Sequence, residues 1–319
     1  MIKKRNLAQS LQDWIQYEVS VVSPIFGKIY YVDGTNGSDY GKDGLSLANA
    51  FATVQKAITV QTAETEDMGD LIWVLPGTYS ENLSGALTNM TLRGLPVGTG
   101  SRSIIRSVAG HNAWHGNLSS AIIRDIEFQS NATDDAAIFL VKTIIKSTFH
   151  NVIFRSRQVG SIGLQIGGQT SGASETWEYM EDSLVSDCTF TCDTEANDLY
   201  CGINFGVYAD DDSNAAQRLF QRSRITGCNI QAQKRGINML TGNSNNQGSM
   251  IDNNFITGNL GPAGPSEYGI RHNDSEFMVM IANNFIKSGA TAISGFSAYN
   301  LLGNIVAGGD AIPVYEYTI

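Results

Sequence analysis

Short apolar segments of one pattern recur from residue 123 onward. Each opens on an aliphatic or aromatic residue, carries Asp, Asn or Gly two positions later, and closes on Phe or Ile. We identify seven copies, the last three read as one residue shorter: Ile123–Phe128, Phe149–Phe154, Val185–Phe190, Ile225–Ile230, Ile251–Phe255, Ile281–Phe285 and Leu301–Ile305. Repetition at this spacing is typical of a stacked, solenoidal architecture.

A second series of small-then-aliphatic pairs is interleaved with the first. Its members are Ala137-Ile138, Gly163-Leu164, Gly202-Ile203, Gly236-Ile237, Gly269-Ile270, Ala292-Ile293 and Ala311-Ile312. Each repeat unit therefore holds at least two short strands, with Asn and Gly at the corners and no helical pattern between them. This predicts an all-β parallel solenoid. A leucine-rich horseshoe is a weaker alternative, because its Leu-x-x-Leu-x-Leu frame is absent.

Stacking places equivalent residues above one another at about 4.8 Å. The closing residues of the copies are therefore predicted to form one internal ladder: Phe128, Phe154, Phe190, Ile230, Phe255, Phe285 and Ile305. The third template position, where Asp125, Asn151, Asp187 and Gly227 occur, indicates a turn requirement. Asn residues at 253–254, 283–284 and 304 are predicted to form a hydrogen-bonded corner ladder.

The earlier chain is predicted to supply the first coils and a cap. Strand-like segments at 71–79, 90–94 and 103–106 bring the total to about ten coils. One helical face would carry Phe51, Val54 and Ile58. Residues 50–62 are therefore predicted to form a capping helix that covers the unpaired strands of the first coil. We expect a β-helix domain over 29–319, a helical leader over 1–28, and loop insertions at 156–183 and 192–219.

The composition of the chain limits the classes of molecule that it is expected to bind. The chain has 319 residues with 21 Lys and Arg against 31 Asp and Glu, a net charge of −10, which disfavours binding to nucleic acid or to an anionic membrane. No apolar run is long enough to span a bilayer, and the start lacks a signal-peptide pattern. The four cysteines have no zinc-type spacing, and we expect free thiols.

The first coils carry a family resemblance. Residues 30–33, the Gly/Asn/Asp loop 34–39, the segment 51–58, and strands at 72–79 and 90–94 resemble the opening of the pectate-lyase-like, right-handed parallel β-helix superfamily. The resemblance covers about 29–312 and implies that fold. It leaves function open, since the superfamily includes polysaccharide lyases and hydrolases, phage tailspikes and catalytically silent virion proteins.

The leader is similar to those of bacteriophage particle proteins of this superfamily. Leu7, Leu11, Trp14 and Ile15 form an apolar stripe on a helix too short to be stable alone, so we expect them to anchor the chain to a capsid or tail protein. The alternative is that the leader folds back as an accessory cap. The resemblance further implies a homotrimer, made in the host cytoplasm and located in the virion.

Polygalacturonase-like enzymes of the superfamily show Asn-x-Asp, Asp-Asp, His-Gly and Arg-x-Lys in that order. Here His115-Gly116 precedes Asp134-Asp135, Asn197-Asp198 lacks the intervening residue, and Arg271-His272 lacks the Lys. A pectate-lyase mechanism needs several calcium ligands and a nearby base, whereas Asp125 and Asp187 occupy the turn position. We therefore predict no catalytic set of these kinds, no metal and no cofactor.

The best enzymatic candidates lie in the acidic insertions between 175 and 212. Carboxylates there could flank a glycosidic bond, and two aromatic side chains could stack on sugar rings. The carboxylates are Glu178, Glu181, Asp182, Asp198 and Asp210, and the aromatics are Trp177 and Tyr179. Solvated loops or subunit contacts are the alternative interpretation of these residues.

The function predicted from the sequence is that of a non-enzymatic bacteriophage virion structural protein. It would decorate a capsid or form part of a head or tail fibre or spike, anchored by its leader, and could contact host glycans. The alternative is a tailspike-type polysaccharide depolymerase that uses the carboxylates of the insertions.

Overall fold

The fold is taken from a computed structural model. The structure describes residues 27–63, 69–94, 102–108, 110–131, 137–158, 160–167, 178–194, 199–205, 218–239, 248–258, 268–272, 279–287, 291–294 and 301–306. One α-helix, α1, spans Val54–Thr62, and a 3-10 turn spans Leu47–Asn49. All other regular elements within these ranges are short strands.

The strands follow in chain order. The first ten are β1 Ile29–Val32, β2 Asp70–Val74, β3 Gly77–Ser80, β4 Leu83–Thr88, β5 Met90–Gly94, β6 Ser103–Arg106, β7 Trp114–Ser119, β8 Ile122–Arg124, β9 Glu127–Ser130 and β10 Ala137–Ile145. The next ten are β11 Thr148–His150, β12 Ile153–Ser156, β13 Ser161–Ile166, β14 Glu178–Glu181, β15 Leu184–Ser186, β16 Thr189–Cys192, β17 Leu199–Phe205, β18 Arg218–Gln221, β19 Arg224–Thr226 and β20 Asn229–Ala232. The last nine are β21 Arg235–Met239, β22 Ser249–Asp252, β23 Phe255–Gly258, β24 Tyr268–His272, β25 Val279–Ala282, β26 Phe285–Lys287, β27 Thr291–Ser294, β28 Leu301–Leu302 and β29 Ile305–Val306.

These strands form three parallel sheets that the chain visits in turn. Sheet A has the order β1-β2-β5-β8-β11-β15-β19-β22-β25-β28, and sheet B has the order β3-β6-β9-β12-β16-β20-β23-β26-β29. Sheet C contains β4, β7, β10, β13, β17, β21, β24 and β27. β14 also pairs with the second half of β10, and β18 pairs with β14. The protein is therefore a right-handed parallel β-helix, and the ten strands of sheet A confirm the prediction of about ten coils among the described residues.

The internal ladder is confirmed in its first half and corrected in its second. Phe128, Phe154, Phe190 and Ile230 pair in register on the inner face of sheet B. Beyond Ile230 the inward-facing partners are the buried Ile256 and Ile286 and the partly buried Val306, which continue the same ladder. The predicted members Phe255, Phe285 and Ile305 instead lie one residue earlier, on the outer face, where Phe255 is 48% exposed.

The error has a simple cause. The later copies are not one residue shorter: Ile251 pairs with Ile225, and the sixth residue, Ile256, pairs with Ile230. Because side chains alternate between the faces of a strand, a shift of one residue exchanges inside for outside. The second series shows a similar slip in its first member, since Phe139 pairs with Leu164 and so Ile138, not Ala137, aligns with Gly163.

The corner between sheets A and B is built from a left-handed residue. Its members have φ between 53° and 64°: Asp125, Asn151, Asp187, Gly227, Asn253, Asn283 and Gly303. Asp, Asn and Gly tolerate this conformation best, so the turn requirement predicted at the third template position is confirmed.

The next residue of each coil points inward and forms a second ladder. It begins with apolar residues such as Val152 and Cys188 and changes to Asn254, Asn284 and Asn304 near the C-terminus. Asn284 Oδ1 accepts from Asn254 N at 3.0 Å and from Asn254 Nδ2 at 2.9 Å, and Asn284 Nδ2 donates to Ile251 O at 2.9 Å. The predicted asparagine ladder thus consists of these three residues, while Asn253 and Asn283 provide the turns.

The capping helix begins later than predicted. α1 runs over Val54–Thr62 and buries Val54, Ala57 and Ile58. Thr53 is its N-cap, and both oxygens of the Glu81 carboxylate accept from the first backbone N–H groups, Val54 N and Gln55 N, each at 2.9 Å. Phe51 precedes the helix and forms an isolated bridge with Val32 while remaining fully buried. The segment 50–53 is extended because the N-cap holds the helix start at residue 54.

The predicted insertions are shorter than expected, because they contain strands. β13 and β14 lie within 156–183, and β17 and the start of β18 lie within 192–219. The nine residues of β10 explain this: its first half pairs with β13 and its second half with β14. In these two coils sheet C therefore has two strands, β13 with β14 and β17 with β18. Residues 159, 168–177, 195–198 and 206–217 of the predicted insertions fall outside the described residues.

Replacing Asn284 with Ala removes the acceptor of two Asn254 donors and leaves them buried without it. We expect a loss of about 3 kcal/mol in the free energy of unfolding, measured by urea denaturation. The matched control is Asn283→Gly at the exposed, left-handed position beside it, which should change stability by about 0.5 kcal/mol or less. Equal effects of the two substitutions would contradict the ladder.

Candidate functional site

Several predicted site residues lie outside the described residues. These are the leader set Leu7, Leu11, Trp14 and Ile15, the aromatic Trp177, and the carboxylates Asp198 and Asp210. Glu178 is described only as backbone, in β14 opposite Arg218. The residues that can be placed with side chains are Tyr179, Glu181 and Asp182.

The strand β14, the second sheet C strand of its coil, contains Tyr179 and Glu181. Asp182 follows it and occupies the corner that leads from sheet C to sheet A. Tyr179 pairs with Thr143 in the coil before and is half-buried. Asp182 is a left-handed residue, φ 49°, in a corner row that also holds Lys146 before it and Arg222 after it. The fold therefore places a carboxylate between two cations at about one coil spacing on either side.

Arg222 binds both carboxylates. Its Nε donates to Asp182 Oδ1 at 2.6 Å and its Nη2 to Asp182 Oδ2 at 3.1 Å, while Nη2 also contacts Glu181 Oε1. The hydrogen bonds from Arg222 lower the pKa of Asp182, and the charges of Arg222 and Lys146 lower it further. All three side chains are between one-third and about one-half exposed.

This geometry does not suit glycoside hydrolysis. A general acid of that reaction needs a carboxyl group whose pKa is raised, and its partner must face it across the scissile bond. Here the pKa of Asp182 is lowered, and both carboxylates are bound by one guanidinium. The arrangement ties neighbouring coils together at an exposed corner.

Carboxylates on the outer faces of sheets A and B are paired in the same way. Asp125 accepts from Arg93 Nε at 3.2 Å and Arg124 Nε at 2.9 Å. On sheet B, buried Glu127 accepts from Arg155 Nε at 2.7 Å. Near the C-terminal coils, Arg224 Nε donates to Asp252 Oδ1 at 2.7 Å. Each bond joins different coils except that of Arg124, which adjoins Asp125 in sequence.

A histidine constellation on sheet A was missed by sequence reasoning. His150 Nδ1 lies 3.0 Å from Ser186 Oγ and 3.3 Å from Asp187 Oδ2, both in the next coil. Gly227 makes room for the carboxylate, because a Cβ there would lie 2.5 Å from Asp187 Oδ1. Aligning the template copies Phe149–Phe154 and Val185–Phe190 would have placed these residues side by side.

The constellation does not form a hydrolase triad. In such a triad the acid and the nucleophile bind opposite nitrogens of the ring, whereas Ser186 and Asp187 share Nδ1. Ser186 is also buried. The contacts orient the imidazole on the outer face of the sheet and join two coils.

Metal and redox chemistry find little support in the part of the chain that the structure describes. No group of three His, Cys, Asp or Glu residues there is arranged to hold a metal ion.

The four cysteines are thiols, as predicted. Burial raises the pKa of Cys201 to about 12, and burial together with Cys228 raises the pKa of Cys188 well above its usual value, so both thiols are unreactive at neutral pH. No helix among the described residues is long and apolar enough to cross a membrane.

Comparison with known proteins adds structural likeness only. No protein-family model and no curated protein matches the sequence. Pectin methylesterase PemA from Erwinia chrysanthemi is similar in structure, with TM-score 0.47, 13% identity, and coverage of 90% of this chain and 91% of that one. The lacto-N-biosidase GH136 from Eubacterium ramulus has TM-score 0.44, 10% identity, and coverage of 93% and 62%.

A rhamnogalacturonan lyase is more distant, with TM-score 0.31, 12% identity, and coverage of 87% of each chain. Identities this low, with TM-scores no higher than 0.47, establish neither a family nor an activity for this chain. The fold rests on the strand register described above.

Replacing Arg222 with Met should raise the pKa of Asp182 toward its ordinary value. Because the folded-state pKa of Asp182 is lowered, its contribution to stability is present above its unfolded pKa and is lost as pH falls through the folded value. The variant should therefore lose less stability on acidification than the parent protein. NMR titration of the Asp182 carboxyl carbon and acid denaturation measure the two effects. Arg157→Met, which removes a partner of Asp193 instead, should leave the Asp182 titration unchanged; an unshifted Asp182 in Arg222→Met would contradict the pairing.

Proposed function

We propose that this chain is a non-enzymatic structural solenoid of a bacteriophage particle. It is made in the host cytoplasm and assembled into the virion, where it decorates the capsid or forms part of a head or tail fibre or spike. The leader over residues 1–28 attaches it to another particle protein, and its coils form a stiff body that can meet host glycans. The phage assignment is supported by the pattern of the leader.

One observation carries the non-enzymatic part of the proposal. Five outer-face and corner carboxylates, Asp125, Glu127, Asp182, Asp193 and Asp252, are each bound to an arginine, and the corner carboxylate Asp187 contacts His150. A carboxyl group that transfers a proton must reach the reacting atom of a substrate within hydrogen-bond distance. Carboxylates held by guanidinium groups favour a mechanical role, in which charge joins coil to coil.

An apolar cluster lies where the leader joins the solenoid. Leu71 and Trp73 are buried although they lie on the outer face of sheet A, and Tyr31 stacks on Trp73 with ring centroids 6.0 Å apart. Ile29 packs against the same cluster, two residues beyond Gly27. Ile29 and Tyr31 are only partly buried, so in this proposal the apolar stripe of the leader packs against them, alone or together with a partner.

Deleting residues 1–27 tests the anchor. We expect the truncated chain to fold with nearly unchanged thermal stability and to be absent from purified particles, since the coils have their own core. Complementation of a phage that lacks the gene, followed by quantification of the protein in particles, measures incorporation. Normal incorporation would contradict the anchor. A large loss of thermal stability would instead support the leader as an accessory cap.

The depolymerase alternative is favoured by one feature of sheet C. Ile166, Phe205 and Met239 end their strands in register, so the segments 168–177, 206–217 and 240–247 begin at neighbouring points of one edge. In the sequence, the first two of these segments contain acidic and aromatic residues, including Trp177 and Asp210.

Incubation with host capsule or lipopolysaccharide separates the two functions. The structural proposal predicts no release of reducing ends or unsaturated uronates above the level of a heat-denatured sample. Release that is lost in Glu178→Gln or Asp210→Asn but kept in Asp252→Asn would establish the depolymerase. Asp252 is a suitable control because it is paired with Arg224 away from the insertions.

A further inference from the structure

Three neighbouring strands of sheet B carry a polar network on their outer face. β9 lies between β6 and β12, and its residue Phe128 belongs to the core, so Glu127 and Gln129 face outward. Both are nevertheless buried, at 4% and 5% exposure. Arginine side chains from the two flanking strands extend over them: Arg102 immediately before β6, Arg106 at its end and Arg155 in β12. We call these three arginines, together with Glu127 and Gln129, the arginine site.

Hydrogen bonds hold the guanidinium groups of the site in place. Arg155 Nε donates to Glu127 Oε1 at 2.7 Å, and Arg106 Nε donates to Gln129 Oε1 at 2.8 Å. Gln129 Nε2 donates to Glu127 Oε1 at 2.7 Å, which turns the amide oxygen of Gln129 toward Arg106. Arg102 Nη1 lies 3.6 Å from Glu127 Oε2. Cations from opposite sides are thus fixed over one central strand, so a ligand that binds there orders few further side chains.

The positive charge of the arginine site exceeds its negative charge. Three guanidinium groups surround one carboxylate, Glu127, and the hydrogen-bond partner of Arg106 is a neutral amide. Carboxylates on the adjoining strands and corners are bound elsewhere: Glu81 by the first N–H groups of α1, Asp125 by Arg93 and Arg124, and Asp193 by Arg157 Nε at 2.8 Å. Asp193 lies 3.6 Å from Arg155 Nη1, at the edge of the site. A chain of net charge −10 therefore presents a locally cationic surface here.

The remaining donors of the site fit a tetrahedral oxyanion. Within the part of the chain that the structure describes, the hydrogen bonds of Arg106 and Arg155 use Nε alone. Their Nη groups remain for a ligand, and the side chain of Arg102 is 56% exposed. β6 and β12 lie about 10 Å apart, two sheet spacings, and their arginines extend toward the strand between them. A phosphate or sulfate group has acceptor oxygens in several directions and can therefore accept from both sides at once.

We propose that the arginine site binds a phosphate or sulfate group, as the free anion or as a substituent of a glycan. The glycan source rests on the proposed contact with host glycans, whereas binding of the anion itself does not. The net charge of the chain disfavours long polyanions, so a ligand with a compact, local charge suits the site. Failure of the anchor test on particles would leave this inference intact, because binding is measured on the purified chain.

The test is a titration of the full chain with inorganic phosphate in place of chloride at constant ionic strength. NMR of the arginine Nε–H groups should show a saturable shift of Arg155 that weakens as salt is added. Arg106→Gln removes a cation that pairs with no carboxylate, and it should weaken phosphate binding about 10-fold. Arg222→Gln removes the same charge at the corner between sheets C and A and should bind phosphate like the parent protein.

Three outcomes overturn the proposal: an Arg155 signal that does not saturate, equal binding by Arg106→Gln and the parent, or an equal loss in Arg222→Gln. Circular dichroism and the melting temperature report folding. If Arg106→Gln does not fold, Arg102→Gln at the more exposed arginine tests the site with the same expected and contradicting results.

The source of the anion is distinguished by a second titration with phosphorylated oligosaccharide from host lipopolysaccharide. Tighter binding than that of inorganic phosphate, lost after phosphatase treatment, supports the site as a receptor for a glycan substituent. Equal affinity for the two ligands supports it as a site for the free anion.

Discussion

The structure depends on the in-register pairing of each coil with the next. Every residue of a strand meets its equivalent one coil away at about 4.8 Å, so the choice made at one position is repeated along the solenoid. Stacked apolar residues stabilise the fold, as in the stack of Phe154 on Phe190 with ring centroids 4.7 Å apart. Stacked amides stabilise it as well, because each side chain can donate a hydrogen bond to one neighbour and accept one from the other. Stacked like charges destabilise it, since directly opposed charges of one sign repel.

This constraint explains where the charges lie. Along the corner between sheets C and A, Asp182 stands between Lys146 and Arg222, and on sheet B Arg155 lies diagonally across from Glu127 in the next coil. Carboxylates that join coils are bound by cationic side chains, which suits a rigid body better than a proton-transfer site. Over the last coils the surface is less polar, since Phe255, Met280 and Ile305 are exposed.

Much of the fold could be predicted from the sequence because the repeat reports the period, the corners and the strand content directly. The turn at Asp125 and Asp187 follows from residue type alone, since few residues tolerate a left-handed backbone. The register at Phe255 could not be predicted in the same way. Phe255 and Ile256 are both apolar and adjacent, and only pairing with Ile230 determines which one faces inward. The strands β14 and β18 were likewise not predicted, because they belong to neither repeated series and begin with charged residues, Glu178 and Arg218, that are typical of loops.

The candidate site was less predictable than the fold. The sequence identifies Glu181 and Asp182 as acidic neighbours, but their common partner Arg222 lies 40 residues from Asp182 and meets it only across a coil. His150, Ser186 and Asp187 are linked in the same manner. The most direct measurement of the central claim is an experimental density map at side-chain resolution. The account predicts Phe128, Phe154, Phe190, Ile230, Ile256 and Ile286 in one vertical column, with Phe255 outside it. Antiparallel layers, or Phe255 within that column in place of Ile256, would contradict it.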